Sequence, residues 1–573
     1  AALVEAELLR GNAARAQQLA QGAFGRAPTS DGARARLHLA LAAVDEHAGR
    51  VSAARISLAR AASACKTDGA TAALVEARRA GCLAREGRLS EATAALETAE
   101  RAVREIDATG VADEISRCRA LVLARRGQLG RACEELRGLV AALRRRGDEL
   151  GALRAEVDLA GVLLERGELA AAAEIAAACA TSAGRRKLAA LGVRAELIIA
   201  AVDVAELRID AARIALDRLL VPAVAGALDA DARVRATLLR AEVDAWSGVA
   251  RSINDVIASA GLSEAAADLI DEVDRGAWEA RLALAAGDVG VAFESTRAVA
   301  ARAERTGRTA ELATALALLA RFELARGNRP QATAAANRAA RESLACGLTS
   351  AHVSALLTLA ALARDEGDVA AASVYARDAS ERAATAGLPS LRLAAIGALE
   401  AIAGGDVSRA DAGSAAAATM SPAAIDASAR ILADLGLTAS RPFRVIGFDG
   451  AESQVARASA DLLRLSERSL AIDGVRETIL RAGTTLADLR RRSLLKRLLF
   501  LFAAAPGKIF SKEDIVQTVW NVEYHPLRHD AALFTNIMRI RRLLGEDGAE
   551  LIRVSEEGYR FMPPRDFVFL TPA

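Results

Sequence analysis

The sequence predicts a mostly α protein: a right-handed solenoid of α-α hairpins followed by a small C-terminal α+β domain. Three observations carry that prediction. First, a Gly is followed five residues later by Ala at 11/16, 49/54, 87/92, 127/132, 167/172, 287/292, 327/332, 367/372 and 405/410. Second, hydrophobic residues make up 52% of the 573 but aromatics only 3%, so Ala and Leu supply the apolar surface. Those two residues are strong helix formers, which favours close-packed helices over sheets. Third, nine of the twelve Phe lie after residue 440, an abrupt change in core chemistry that marks a domain boundary.

Ala is so common that a single Gly/Ala match carries no information. Nine matches in register, with the Gly recurring every 38 to 40 residues, identify an internal repeat. Two unmarked periods, at Leu207 and near Ser247-Gly248, continue the register and bring the expected total to eleven units. In each unit the Gly ends helix A in a left-handed conformation. The small Ala then lets helix B approach helix A closely. In Gly151–Ala183, helix A is expected over about Ala152–Arg166 and helix B over about Leu169–Ala180. A lone hairpin cannot bury its apolar side, so units must stack, leaving a concave surface. The segments Val221–Ala230 and Ala250–Asp274 interrupt the rhythm and read as one degenerate unit, with a bend or a binding loop as the other readings.

These units resemble tetratricopeptide repeats of the long-period kind found in large bacterial transcription regulators. The resemblance implies a protein-interaction solenoid with a partner on its concave face. They depart from the standard repeat, because 38 to 40 residues exceeds its period and its aromatic positions are mostly Leu or Ala here.

Residues 1–436 are assigned to the solenoid, 437–468 to a linker and lead-in, and 469–565 to the C-terminal domain. Ser421-Pro422 is an N-cap and first-turn pair opening a closing helix at about 422–435. Phe443–Phe448 reads as a strand and Ala451–Leu465 as a helix. Ser469–Asp473, Val475–Leu480 and Thr484–Leu486 can form a small sheet. Leu489–Ala505 is an apolar helix with a basic start (Arg490, Arg491, Arg492, Lys496, Arg497), which can either meet phosphate or stay solvated. Pro506-Gly507 stops it, Lys508–Phe510 makes a short strand, and Ser511 caps the helix Lys512–Trp520. The helix Asp530–Leu544 buries Leu533, Ile537, Ile540 and Leu544 on one face. Leu551–Val554 and Tyr559–Phe561 then flank Ser555-Glu556-Glu557-Gly558 as a hairpin.

Helix, strand, helix, loop, helix, hairpin is the order of a winged helix. Leu494…Leu498-Leu499, Pro506–Ser511, Val519-Trp520, Ile537–Leu544 and Gly558–Phe561 together resemble the OmpR/PhoB-type DNA-binding domain. That resemblance implies double-stranded DNA as partner, with Thr535, Asn536 and Arg539 at base-reading positions. It places Arg541 and Arg542 at backbone-contacting positions, and Arg528 and Arg553 join them as candidate DNA contacts. It also implies an RNA polymerase contact through the loop Asn521–Arg528, and self-association on paired DNA sites. The turn departs from the family, which places a basic residue in the wing. With Glu556 and Glu557 there, the wing is held off the duplex, Arg553 and Arg560 compensate, or the domain binds protein.

Net charge is +2 overall, which argues against a polyanion-coating chain. Between Leu486 and Gly545, however, eleven Lys/Arg face five Asp/Glu, a local balance of +6. Local basicity is the footprint relevant to nucleic acid. The six cysteines (65, 82, 118, 133, 179, 346) form no CxxC pair and read as small buried residues of a reducing, cytoplasmic compartment. No run of 18 apolar residues predicts a membrane span, and no signal peptide is seen. A start without Met, already in helical pattern, implies a longer polypeptide. No phosphate loop, HExxH, GxSxG or GxGxxG occurs, so no enzyme, cofactor or metal is expected. The functional expectation is a bacterial-type transcription regulator in which the solenoid controls a winged helix. The alternative is a signalling scaffold whose two domains both bind proteins, attached to an upstream kinase or ATPase.

Overall fold

The computed structural model describes residues 2–24, 30–65, 68–104, 108–262, 269–402, 420–437, 443–455, 465, 468–474, 477–482, 484–490 and 492–572. The chain divides into two compact units. One comprises Ala1–Ala395 with Asp426–Gly436, the other Ile396–Ile425 with Leu437–Ala573.

The first unit is built of helix hairpins with the expected rhythm. Gly69–Arg85 pairs with Leu89–Val103, Thr109–Arg125 with Leu129–Arg145, Glu149–Arg166 with Leu169–Arg186, and Thr309–Ala325 with Arg329–Cys346. The turn glycines Gly11, Gly49, Gly87, Gly127, Gly167, Gly287, Gly327 and Gly367 all take left-handed φ between 74° and 85°. Gly248 does the same at 87°, and Leu207 takes that conformation without being Gly, at 58°. The Ala five residues on is fully buried in every described case: Ala16, Ala54, Ala92, Ala132, Ala172, Ala292, Ala332 and Ala372 are all 0% exposed. The ninth pair, 405/410, lies outside the described residues. The helix that starts at Leu169 runs on to Arg186, six residues past the expected end. In the irregular middle, Ala230–Trp246 is a full A helix, whereas its described B partner is only Ile253–Ser259. The closing helix is Pro422–Asp434, with the Ser421 hydroxyl accepting the Ala424 N–H at 3.2 Å.

The turns from one unit to the next follow a second rhythm. Gly147, Gly307, Gly347 and Gly387 are left-handed at φ 71–77°, and Lys187 occupies the same kind of turn at 57°. A left-handed non-Gly residue costs roughly 1 kcal/mol. Lys187 is exposed, so its removal forfeits little packing. Lys187→Gly is therefore expected to stabilise the solenoid by about 0.5–1 kcal/mol, read as a rise in urea midpoint.

The solenoid is tightly wound. The Thr309 hydroxyl donates to the Arg126 carbonyl at 2.8 Å, across 183 positions, and Arg166 Nε donates to the Gly347 carbonyl at 3.1 Å, across 181. Successive superhelical turns thus touch through their hairpin ends. A Cβ on Gly127 would overlap Thr309 Oγ1 and sit 2.7 Å from the Ala310 nitrogen, so only Gly serves both turn and contact there. From Glu149 on, close winding buries the A helices more than their B partners: Thr349–Asp365 buries twelve of its 17 residues, the B helix Val369–Ala386 five of 18. The inner side holds cavities of about 300 and 170 Å³.

Among the described residues, the second unit has nine strands and a three-helix core. A six-stranded sheet has the order β2-β1-β9-β3-β4-β5, with β1 Phe443–Gly447, β2 Glu452–Val455, β3 Ala471–Asp473, β4 Thr478–Arg481, β5 Thr484–Asp488 and β9 Val568–Pro572. Helices α1 Ser493–Ala504, α2 Lys512–Trp520 and α3 Pro526–Leu543 follow, with β6 Ile509–Phe510 between the first two. β7 Ile552–Ser555 and β8 Gly558–Phe561 form the hairpin, and β6 joins it through β8. Leu498, Leu499, Phe502, Ile515, Val519, Leu533, Ile537, Ile540, Leu544 and Phe561 share one core, each at most 2% exposed.

Two expectations are corrected here. Ala451–Leu465 does not begin as a helix. Asp449-Gly450 makes a turn, with Gly450 at φ 77° and the Asp449 carboxylate accepting the Ala451 N–H, and Glu452–Val455 folds back antiparallel on β1. Residues 456–464 lie outside the described set. The sheet also passes both ends of 469–565, because β1 pairs with β9 from Phe443↔Pro572 to Gly447↔Val568. Residues 443–455 therefore contribute strands to the C-terminal unit rather than serving only as a linker.

Candidate nucleic-acid interface

The α2–turn–α3 pair is fixed from its ends. The Ser511 hydroxyl accepts the Asp514 N–H at 3.0 Å and the Asp514 carboxylate accepts the Ser511 N–H in return, a capping box that starts α2. Asn521, left-handed at φ 58°, ends it. Lys512 Nζ reaches Asp530 at 2.8 Å and the Tyr524 hydroxyl donates to the same carboxylate at 2.5 Å. These bonds, Lys512 first, hold the Asp530 carboxyl below its ordinary range. They also tie the start of α2 to the first turns of α3.

Helix α3 begins four residues before Asp530, with Pro526 at its first position and His525 as N-cap. This shortens the loop expected at Asn521–Arg528 to 521–525 and moves Leu527 and Arg528 onto the helix. With Leu533, Ile537, Ile540 and Leu544 buried, the opposite face presents Arg528, Thr535 and Arg539, all exposed, with Arg542 beyond them. The guanidinium groups of Arg528, Arg539 and Arg542 have no hydrogen bond or ion pair with any described residue. Thr535 is exposed, its hydroxyl donating to the Ala531 carbonyl at 2.7 Å while its lone pairs stay open.

Two of the expected contacts are reassigned. Asn536 is 6% exposed and its amide donates to the Ala532 carbonyl at 2.8 Å. It sits three residues from Leu533 and four from Ile540, on the buried face. Arg541 points away from the outer face, with Nε and Nη2 donating to the Ile552 carbonyl at 3.0 and 2.6 Å. It pins α3 to β7. Arg553 is exposed on the hairpin and gives one N–H to the Glu550 carbonyl at 3.1 Å. The basic start of α1 is partly spent: Arg490 pairs with Asp488 at 2.6 Å and Lys496 with Glu477 at 2.7 Å. Arg492 and Arg497 remain there, and Arg491 lies outside the described residues. The wing is a two-residue turn, Glu556-Glu557, both exposed.

The structure adds a feature that spacing alone does not single out. Leu527 is 92% and Phe534 59% exposed on α3, and with half-buried Met538 they line one edge of its outer face. Arg528 and Arg539 line the other edge. Apolar and cationic edges side by side suit a major groove, where thymine methyls and guanine acceptors both project.

Residues 490–561 match the family model described as Transcriptional regulatory protein, C terminal. The C-terminal domain is a winged helix of that DNA-binding kind. Its third helix is α3 and its wing is β7–β8. No curated protein matches the chain. Among solved structures, a Rap protein complexed with competence and sporulation factor is similar at 14% identity and TM-score 0.35, over 64% of this chain and 97% of that one. Aspartyl phosphate phosphatase F from Bacillus subtilis is similar at 13% identity and TM-score 0.35, over 59% and 91%. The APC/C hetero-tetramer Cut9-Hcn1 reaches 14% identity and TM-score 0.38, over 74% and 83%. At these scores the likenesses add nothing to the helix-hairpin architecture already described. Among the described residues, no group of His, Cys, Asp and Glu could hold a metal ion, and no helix is long and apolar enough to cross a membrane.

Proposed function

We propose that this chain is a transcription regulator in which the helical solenoid controls DNA binding by the winged helix. The observation that carries the reading is the outer face of α3. Three guanidinium groups without described partners flank Thr535 on a helix whose opposite face is locked into the core. Arg539 and Arg542 read or clamp the duplex, Arg528 meets the backbone beside them, and Thr535 contacts a base edge. Arg553 and Arg560 offset the acidic wing. A protein partner for the solenoid belongs to the same reading, as do self-association on paired sites and a polymerase contact from 521–525.

Selection of bound duplexes from a randomised pool by the full chain tests this directly. One recurring sequence is expected to emerge. Replacing a contacted thymine in it by deoxyuridine, which removes only the methyl group, is expected to cost a few-fold in affinity. Recovery of an unenriched pool contradicts the reading. The protein-scaffold alternative is favoured by one observation, the exposed Leu527 and Phe534 on a domain whose wing is acidic, and predicts that unenriched outcome.

A further inference from the structure

The repeat lays arginines in a ladder that the winged-helix reading does not use. Arg78, Arg117, Arg154 and Arg194 stand on four successive A helices, Gly69–Arg85, Thr109–Arg125, Glu149–Arg166 and Ala189–Ala205. With Arg85 they line the inner cavity of about 170 Å³, which shares Arg78, Arg85, Arg117 and Arg194 with the neighbouring cavity of about 300 Å³.

The carboxylates around them are largely engaged. Glu114 receives Arg117 at 2.8 and 2.9 Å and lies 3.2 Å from Arg78. Asp158, only 2% exposed in its side chain, receives Arg117 at 2.8 Å and Arg194 at 3.3 Å. Glu5 takes Arg78 at 3.1 Å, and Asp229 caps a helix by accepting the Ala232 N–H at 2.8 Å. Glu46 accepts the Cys82 thiol at 3.4 Å. Two arginines are left short. Arg154 has no hydrogen bond to a described residue, and its nearest carboxylate, Glu114, is 4.0 Å away. Arg85 reaches Glu46 only at 3.9 Å. Burial alone would lower its proton affinity, but Glu46, with Asp231 and Asp229 beyond it, outweighs burial and raises it.

We propose that this arginine-lined cavity binds a small molecule bearing a phosphate or carboxylate group, held by Arg154 and Arg85. The Arg154 and Arg85 side chains keep 31% and 37% exposure, so a solute can reach them, and an oxyanion meeting such a guanidinium gains strong charge-assisted bonds. Arg78 and Arg117, locked by Glu114 and Asp158, hold the frame in place before the ligand arrives, which lowers the ordering cost of binding. The Arg117 charge, and after it burial, lower the proton affinity of Arg154 from its ordinary value. A cation kept beside another cation is the pattern of a functional position rather than of a stabilising one. The cavity volumes fall at or below the roughly 300–1,000 Å³ of small-molecule sites, which favours a compact ligand over a chain segment.

The test uses the full chain in a chloride-buffered solution, titrated separately with inorganic phosphate and with succinate. Calorimetry is expected to show saturable binding of one of them, and thermal unfolding to shift upward with it. Binding of phosphate alone assigns a phosphate-bearing ligand; binding of succinate alone assigns a carboxylate. Arg154→Gln is expected to weaken binding by about tenfold or more. Without ligand, that variant is expected to melt no lower than the parent. Arg85→Gln, on the other side of the cavity, is expected to weaken binding as well. Failure of both anions to bind saturably overturns the proposal. So does undiminished binding by Arg154→Gln, or a clearly lowered melting temperature of that variant without ligand, which would make Arg154 a structural cation.

Discussion

Arg539→Ala is expected to cost the full chain about 1–3 kcal/mol of specific DNA affinity, roughly 5- to 150-fold, while leaving its thermal unfolding unchanged. Arg539 is exposed, bonds to no described residue, and lies one turn from Thr535 on the face opposite Ile537 and Ile540. Removing it deletes no packing and no internal hydrogen bond. Arg541, two residues on, gives the opposite signature. Its guanidinium holds the Ile552 carbonyl at the base of the wing, so Arg541→Ala leaves that carbonyl unpaired. A lost bond of that kind costs about 1–3 kcal/mol of stability. The expected result is a lower melting temperature, with DNA binding lost only as far as the wing loosens. Anisotropy with a selected duplex and thermal unfolding, measured on both variants, separate the two roles. Equal loss of binding with equal loss of stability in both would contradict the assignment.

Arg308→Met is expected to destabilise the solenoid by about 3–5 kcal/mol, the cost of stranding buried charge rather than of losing a contact. Arg308 is 2% exposed at the start of the A helix Thr309–Ala325. It reaches Asp271 and Asp274 at 2.6 Å each, and also pairs with Glu311. One cation thus pairs with three carboxylates, of which Asp274 also has Arg125 at 3.4 Å, and Met fills similar volume without pairing with any. Burial alone would raise the Asp274 carboxyl, but Arg125 and Arg308 outweigh it and hold it below its ordinary range. A carboxylate with a depressed folded pKa contributes stability above its unfolded value of about 4, and that stability is lost as pH falls through the folded pKa. In the variant that depression is relieved, so acid costs less. The gap between parent and variant is therefore expected to narrow as pH falls below the ordinary carboxylate range. Urea midpoints across pH measure it, and a gap independent of pH would mean that packing, not charge, sets the loss.

The parts of the molecule legible in the sequence are those set by local spacing. A Gly that must be left-handed and an Ala that must be small recur every 38 to 40 residues, and each described copy does what the spacing demands. Leu207 shows the limit of residue identity, since it adopts the glycine conformation because its neighbours on both sides are already stacked helices. The stripe Leu533, Ile537, Ile540 and Leu544 is readable for the same reason of period. What spacing does not show depends on partners far along the chain or on turn chemistry that a stronger pattern masks. Asp449-Gly450 is a hairpin signal hidden by the apolar run after it. Pro526 marks a helix start, but the apolar period of α3 begins only at Leu533, so Leu527 reads as loop. Arg541 looks like its neighbour Arg542 until the Ile552 carbonyl, eleven residues on, claims it. The arginine ladder is present in the sequence at residues 78, 117, 154 and 194. It becomes meaningful only once four A helices bring those residues to one cavity.

Contact of the cationic outer face of α3 with duplex DNA makes binding depend on salt. If Arg528, Arg539, Arg542 and one cation of the wing or of α1 each displace a counterion, log K is expected to fall with log salt at a slope of about −3 to −4. Arg542→Ala is expected to make that slope shallower by about one. A slope near zero, unchanged by Arg542→Ala, would contradict a DNA-reading face on this helix and leave the winged helix as a protein-binding module.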